Sequence, residues 1–522
     1  MFCDLRHGLL GTYPAGEHTV RIRNLGSTGQ YLYFDFLEIA IPSAIFSDND
    51  VESNLTAATD WDTDHSIALA PERTAWMIDS LGLKGRPNHY VGALWFYELW
   101  NPTNSYSSGT VTFAGTPGSD LSTQVIVGRT DQPVSSNVAI THQNLIGDTV
   151  ETLAKAFELK INSGYTAIWA QATGNQVTIF SRSMGSDGNN ITIGVSASTT
   201  SMATTLSAAT LTGGHDGEWR TDLSATPRIN RAARDWTRSF CAALRSYGHQ
   251  DVTCAFSMEL QNGDPSLDVG IAQRYPSGLA VQLNTPALQT NFSPVSIDFW
   301  KQVYLDMAQV QSDAGLQPYL QFGEVQWWYN MDGDHSGMPF YDDYTKSAFV
   351  SRYGRDMAVI TSNDADPASY PQESEFLPTL IGAFTNAIMA FVQAAIPTAR
   401  FEVLYPIDVN NTPLNRVINY PKADWTPQTL NCLKTESFNY TLSRNLDLCL
   451  ETITSGEAFG FPASKRSHLV GVGDSSSPWL KEARMAESYR FDSVVLFALD
   501  QLCMVGYSFP LSKGLRRSVQ LG

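Results

Sequence analysis

From Leu55 to Asp500 the chain alternates between short apolar runs and amphipathic stretches, and this alternation limits the possible folds more than any other feature. Buried parallel strands read as continuous apolar runs, and each needs a crossover helix to reach the next. The runs are Leu55–Asp60, His89–Leu99, Asp251–Leu260, Pro318–Glu324, Arg400–Val409, Leu433–Phe438, His468–Asp474 and Ser493–Asp500. Helical patterns separate them at Pro71–Leu81, Ile229–Tyr247, Ser293–Ala314, Phe376–Ala395, a short stretch near Pro427–Cys432, Arg444–Thr454 and Pro478–Tyr489. Eight β/α units are the arithmetic of a closed barrel. A doubly wound sheet would carry a glycine-rich phosphate turn after an early strand, and none is present.

Two regions break the pattern. Residues 103–215 are rich in Ser, Thr, Gly and Asn, with short alternating strands around a helix at Thr149–Ile161. They contain Gly185-Ser-Asp-Gly-Asn-Asn-Ile-Thr-Ile193 and close on Leu211-Thr-Gly-Gly-His-Asp-Gly217. In these motifs the region resembles a small module of phage-tail and other surface proteins, which implies an inserted α+β domain. Residues 1–45 contain two alternating strands about a Gly-Ser-Thr-Gly turn, the second being Gln30-Tyr-Leu-Tyr-Phe-Asp-Phe-Leu-Glu-Ile-Ala40. They resemble the closing strands of a jelly-roll carbohydrate-binding module, an incomplete β-sandwich. The expected organisation is therefore a (β/α)8 TIM barrel over 46–102 and 216–522, an α+β insertion at 103–215 and a sandwich remnant at 1–45.

In such a barrel the functional groups sit at the carboxyl ends of the strands. Read in order, those ends offer Asp60 or Asp62, Glu98, Glu259, Glu324, Asp408, Glu436, Asp474 and Asp500. Crowded carboxylates push one another's pKa values apart, so that one stays protonated while another ionises. Glycosidic hydrolysis needs that division of labour. Trp95, Trp100, Trp327, Trp328, Tyr329 and Trp479 are candidate sugar platforms, with Glu98, Glu259, Asp408, Asn410 and Asp500 as polar contacts. The alternative for any one of these residues is ordinary: an aromatic in the core, or a carboxylate capping a helix or pairing with Arg or Lys.

With Glu324 ending the fourth strand, the barrel resembles the large retaining clan of glycoside hydrolases. More narrowly, it resembles the TIM-barrel-like proteins of phage-type tails and gene transfer agents. That resemblance implies an acid/base glutamate on strand four, which Glu324 matches, although Gly323 stands where the clan has Asn. It also implies a nucleophile glutamate on strand seven. Strand seven here ends in Asp474, while Glu436 in Lys434-Thr-Glu-Ser-Phe438 has the right residue type on strand six. The catalytic candidates are thus Glu324 with Glu436 or Asp474. The competing expectation is a non-catalytic structural or glycan- and receptor-binding part of a tail-like or cell-surface assembly.

Composition narrows the partners. A net charge of −18 opposes binding to nucleic acid or to an anionic membrane surface. No apolar run of transmembrane length stands out, and no signal peptide is visible, although an extracellular or cell-surface setting fits a glycan partner. The histidines are dispersed, and the six cysteines lack metal-type spacing, so no metal and no cofactor is expected.

Overall fold

The computed structural model describes residues 54–504, apart from 84, 93–94, 120, 165, 198–200, 283–286, 329, 333–334 and 474–476. The expected sandwich remnant at 1–45 lies outside the described residues. Eight parallel strands close into a barrel: β1 (Leu55–Asp60), β2 (Asn88–Val91), β3 (Thr253–Phe256), β4 (Tyr319–Phe322), β5 (Arg400–Pro406), β6 (Cys432–Glu436), β7 (Arg466–Gly471) and β8 (Ser493–Phe497). Each pairs with the next, and β8 returns to β1 in the register Leu55↔Val494 to Ala58↔Phe497. This is a TIM barrel.

Helices α1 (Pro71–Ser80), α2 (Arg231–Ser246), α3 (Pro294–Asp313), α4 (Pro371–Ala395), α5 (Leu446–Ala458), α6 (Trp479–Ser488) and α7 (Leu499–Met504) accompany the strands. Their starts follow local chemistry. Pro71 opens α1, while Asn230 and Ser293 cap α2 and α3 by accepting from Ala233 N and Ser296 N. The main core lies between strands and helices, where Phe240, Phe256, Phe299, Trp300, Phe322 and Phe401 are fully buried.

Two expectations are corrected. The second strand stops at Val91 rather than Leu99, because a loop intervenes and Leu99–Trp100 pairs antiparallel with Arg220–Thr221 instead. The helix expected near Pro427–Cys432 is a set of turns, and the only helix between β5 and β6 is the short Asn415–Ile418. Among the described residues one helix, α4, is long and apolar enough by composition to cross a membrane, but 56% of its apolar window is buried in the fold.

Between Ser105 and His215, which pair with each other, the chain builds two more sheets. Four antiparallel strands run in the order Met202–Leu206, Tyr106–Gly115, Gln176–Met184, Ile168–Thr173. Three more run Val138–Gln143, Ser122–Arg129, Ile191–Ala197. The helix Val150–Ser163, with a reciprocal Thr149/Thr152 cap, packs Phe157 on Phe113. Their apolar cluster shares no residue with the barrel's core.

The barrel lumen is polar at one level. Lys434 of β6 donates to Asn88 of β2, Gln321 of β4 and Glu402 of β5, the last at 2.6 Å. Strands two, four and six are not neighbours, so these side chains can meet only inside the barrel. Arg86 holds the other oxygen of Glu402 at 3.0 Å and reaches Asp492 at 2.7 Å. Side chains alternate along a strand, so Glu436 points into the lumen one step above Lys434.

Candidate functional site

The site is built around the exit of β4. Gly323 donates its N–H to the Phe256 carbonyl at 2.7 Å, and a Cβ added there would lie 2.9 Å from the same oxygen. Glycine is required because two backbones touch. The next residue, Glu324, turns into the left-handed region at φ 50°, a conformation that costs a side-chain-bearing residue roughly 1 kcal/mol or more. The segment beyond is held by amides. Asn419 accepts from Trp327 N at 2.8 Å and donates to Asn410 at 2.8 Å, which donates in turn to Gln326 at 2.7 Å. Gln273 donates to the Gln326 carbonyl at 2.9 Å and accepts from Trp328 N at 3.2 Å.

Around this turn the structure brings together Asp60, Glu259, Glu324, Asp408 and Glu436. Burial pushes Glu324 up to about 8, and the charges of Glu259, Asp408 and Asp60 add to it. Glu436 is raised well above the carboxylate range, first by burial and then by Glu324, Asp408 and Glu482. Burial, with Asp62 and Asp60, lifts Glu259 to about 7 against a 2.9 Å hydrogen bond from Gln289. Asp60 rises to about 6 for the same first reason, opposed by Thr63. Asp408 is raised by burial too, but the N–H groups of Asn439 (2.8 Å) and Val409 (3.0 Å) hold it down. Among the described residues, none donates a hydrogen bond to the carboxyl of Glu324 or Glu436.

Other candidates lie elsewhere. Trp327 is 1% exposed, edge-on to Phe292 and Phe340, so its ring is core and not a platform. Trp479 is likewise buried, at the start of α6. Asn410 is a buried amide in the chain that braces Gln326. Glu98 does not end a barrel strand, because β2 has already stopped at Val91. Asp500 belongs to α7 and accepts from His65 at 2.7 Å, turned toward the loop after β1. Trp328 is half-buried with its indole N–H unpartnered, while Trp95 and Trp100 are exposed. Tyr329 and Asp474 lie outside the described residues.

Sequence reasoning missed Tyr90, whose hydroxyl sits 3.5 Å from Lys434 and senses Glu436 and Asp60. The alternation Asn88, Tyr90, Gly92 was the available signal. It also missed Trp219, an exposed indole beside the β ribbon, for which the sequence carried no periodic signal. No cluster of three or more His, Cys, Asp or Glu among the described residues has metal-holding geometry.

A family model described as "Non-contractile tail sheath protein TIM barrel" matches residues 211–507, more than half of the chain. No curated protein matches in sequence. Among solved structures, the catalytic domain of a β-amylase from Paenibacillus polymyxa is similar at 10% identity over 51% of this chain and 80% of that one, with a TM-score of 0.38. A β-galactosidase from Rahnella sp. R3 follows at 11% identity, 52% and 43% coverage and a TM-score of 0.35. A GH26 β-mannanase from Bacteroides ovatus has 12% identity, 56% and 73% coverage and a TM-score of 0.30. Likeness this faint assigns neither substrate nor reaction to the chain.

Proposed function

The chain belongs to the non-contractile tail sheath protein TIM-barrel family, and from that premise we propose that it is a non-catalytic structural and glycan-binding component of a phage-tail-like assembly. On this reading residues 103–215 are an inserted tail-type module. The observation that carries the reading is that, among the described residues, none donates a hydrogen bond to either of the two central carboxyls. Retaining hydrolysis needs one carboxyl protonated and its partner ionised, and an ionised partner is normally held by donated hydrogen bonds or a nearby cation. Glu324 and Glu436 have neither among the described residues, and burial drives both upward. A carboxyl pushed toward its protonated form suits hydrogen bonding to hydroxyl groups better than nucleophilic attack.

A second reading, a carbohydrate-active hydrolase of the retaining type, draws support from the mutual influence of Glu324, Glu436 and Asp408. There Glu324 is the general acid and Glu436 or Asp474 its partner. One experiment separates the two. Purified protein is assayed on aryl glycosides and a broad oligosaccharide panel beside Glu324→Gln and Glu436→Gln. The structural reading expects no product above either variant, whereas turnover abolished by both substitutions overturns it. Immunogold labelling of intact tails that carry the protein should decorate the shaft along its length, and particles without label would count against the assembly role.

A further inference from the structure

Trp95 is 65% exposed and sits at φ 55°, a region that a bulky residue occupies only when its surroundings force it there. The forcing groups are identifiable. Its N–H donates to Gln261 Oε1 at 2.7 Å, and its carbonyl accepts from Asn230 Nδ2. Gln261 is buried, and Asn230 is the cap of α2, bonded to Ala233 N at 2.8 Å. Two rigid elements therefore clamp the backbone on both sides and leave the indole outside.

Two more exposed indoles are tied to the same point. Trp100, 51% exposed, lies in the ribbon Leu99–Trp100 opposite Arg220, and Trp219, 55% exposed, precedes Arg220. Asn262 donates to the Trp219 carbonyl at 3.1 Å and accepts from Thr221 N at 3.0 Å, while Thr221 Oγ1 donates to the Gln261 carbonyl at 2.6 Å. Asn262 is also left-handed, at φ 57°. Gln261–Asn262 thus ties the Trp95 segment to the Trp219–Thr221 segment, and the ribbon pairs Trp100 with the latter. Glu259, two residues before Gln261 on the same short strand, belongs to the carboxyl-lined mouth.

We propose that the Trp95–Trp100–Trp219 ledge is a carbohydrate-binding site for a neutral glycan, with a sugar ring on the Trp95 face and the chain running toward the mouth. Indole faces suit the apolar face of a pyranose and leave its hydroxyls free. Glu98 and Asp222 flank the ledge, Glu218 is paired with Arg220, and the chain carries −18 overall, so an anionic polysaccharide is repelled. The inference rests on the proposed function only in expecting the glycan to be held and not cut.

The test uses the full chain and fluorescence polarisation of end-labelled maltoheptaose, cellohexaose, mannohexaose and chitohexaose, with a heparin oligosaccharide as anionic control. At least one neutral probe binds and heparin does not. Trp95→Ala weakens binding roughly five- to ten-fold, the scale of one aromatic contact, while Trp95→Phe keeps most of it. Trp95→Gly fits the left-handed backbone, so it loses binding without lowering the thermal midpoint. Unchanged binding in Trp95→Ala, binding of heparin in place of the neutral probes, or no binding by the wild type overturns the ledge. Release of shorter oligosaccharides would sink the non-catalytic reading and leave the ledge standing.

Discussion

At Gly323 the smallest side chain is a condition of the site. A methyl group there meets the Phe256 carbonyl at 2.9 Å, and backbone cannot swing aside as a flexible side chain can. Gly323→Ala is expected to lower stability by about 1–3 kcal/mol, read as a fall in the thermal midpoint, and Gly323→Asn by more. The asparagine that the resemblance implied at this position is thus excluded by contact. Glu324 offers a second measurement. Its carboxyl titrates near 4.5 when unfolded and near 8 when folded, so the folded state holds the extra proton between those values. The contribution is fully present below pH 4.5 and is lost as pH rises through 8. Glu324→Gln should flatten this part of the stability profile and raise the thermal midpoint relative to wild type at the alkaline end. An unchanged slope would show that the carboxyl is solvated.

Among the elements, β5 and β6 carry the costliest pair. Lys434 and Glu402 have no exposed side-chain surface and meet at 2.6 Å. Removing one partner of a buried pair strands the other, so Lys434→Met is expected to cost about 3 kcal/mol or more, whereas Lys434→Met with Glu402→Gln should recover much of that in a double-mutant cycle. Additive losses would mean that Arg86 already satisfies Glu402. The strands themselves were legible: seven of the apolar runs coincide with barrel strands to within a few residues, because burial on both faces leaves a continuous apolar signature. The eighth run, His89–Leu99, misled because an apolar loop after Gly92 reads like more strand. The same ambiguity hid the fate of the tryptophans. Trp327 and Trp328 are neighbours in Gln326-Trp-Trp-Tyr329, yet one is core and the other half-buried, and only a turn set by Gly323, Glu324 and three amides decides which. Glu324 and Glu436 were readable from their strand ends, whereas the Lys434 network was not, since contacts across a lumen leave no periodic trace.

For the whole molecule, two opposing titrations set the pH of greatest stability. Mouth carboxyls lose their contribution as pH rises, Asp60 by about 6, Glu259 by about 7 and Glu324 by about 8. His89 is buried beside Trp236 and Phe240 and depressed from 6.5 to about 3, so its contribution disappears as pH falls from 6.5 toward 3. The thermal midpoint should therefore peak on the acid side of neutrality, and a maximum in the alkaline range would contradict this balance. The separate apolar clusters and the pairing of Ser105 with His215 suggest another measurement. With residues 104–214 replaced by a short Gly/Ser linker, the barrel should still unfold in one cooperative transition. Closure of β8 onto β1 also has a consequence during synthesis on the ribosome. Asn54, at the start of β1, donates to the Phe491 carbonyl 437 residues later. At ordinary elongation rates, the first strand waits on the order of half a minute or more for its second neighbour. Its open edge must be shielded for that interval, while the strands between Tyr106 and Leu206 can already finish folding, so translation speed and holding chaperones should govern the yield of soluble protein more than the stability of the finished barrel does.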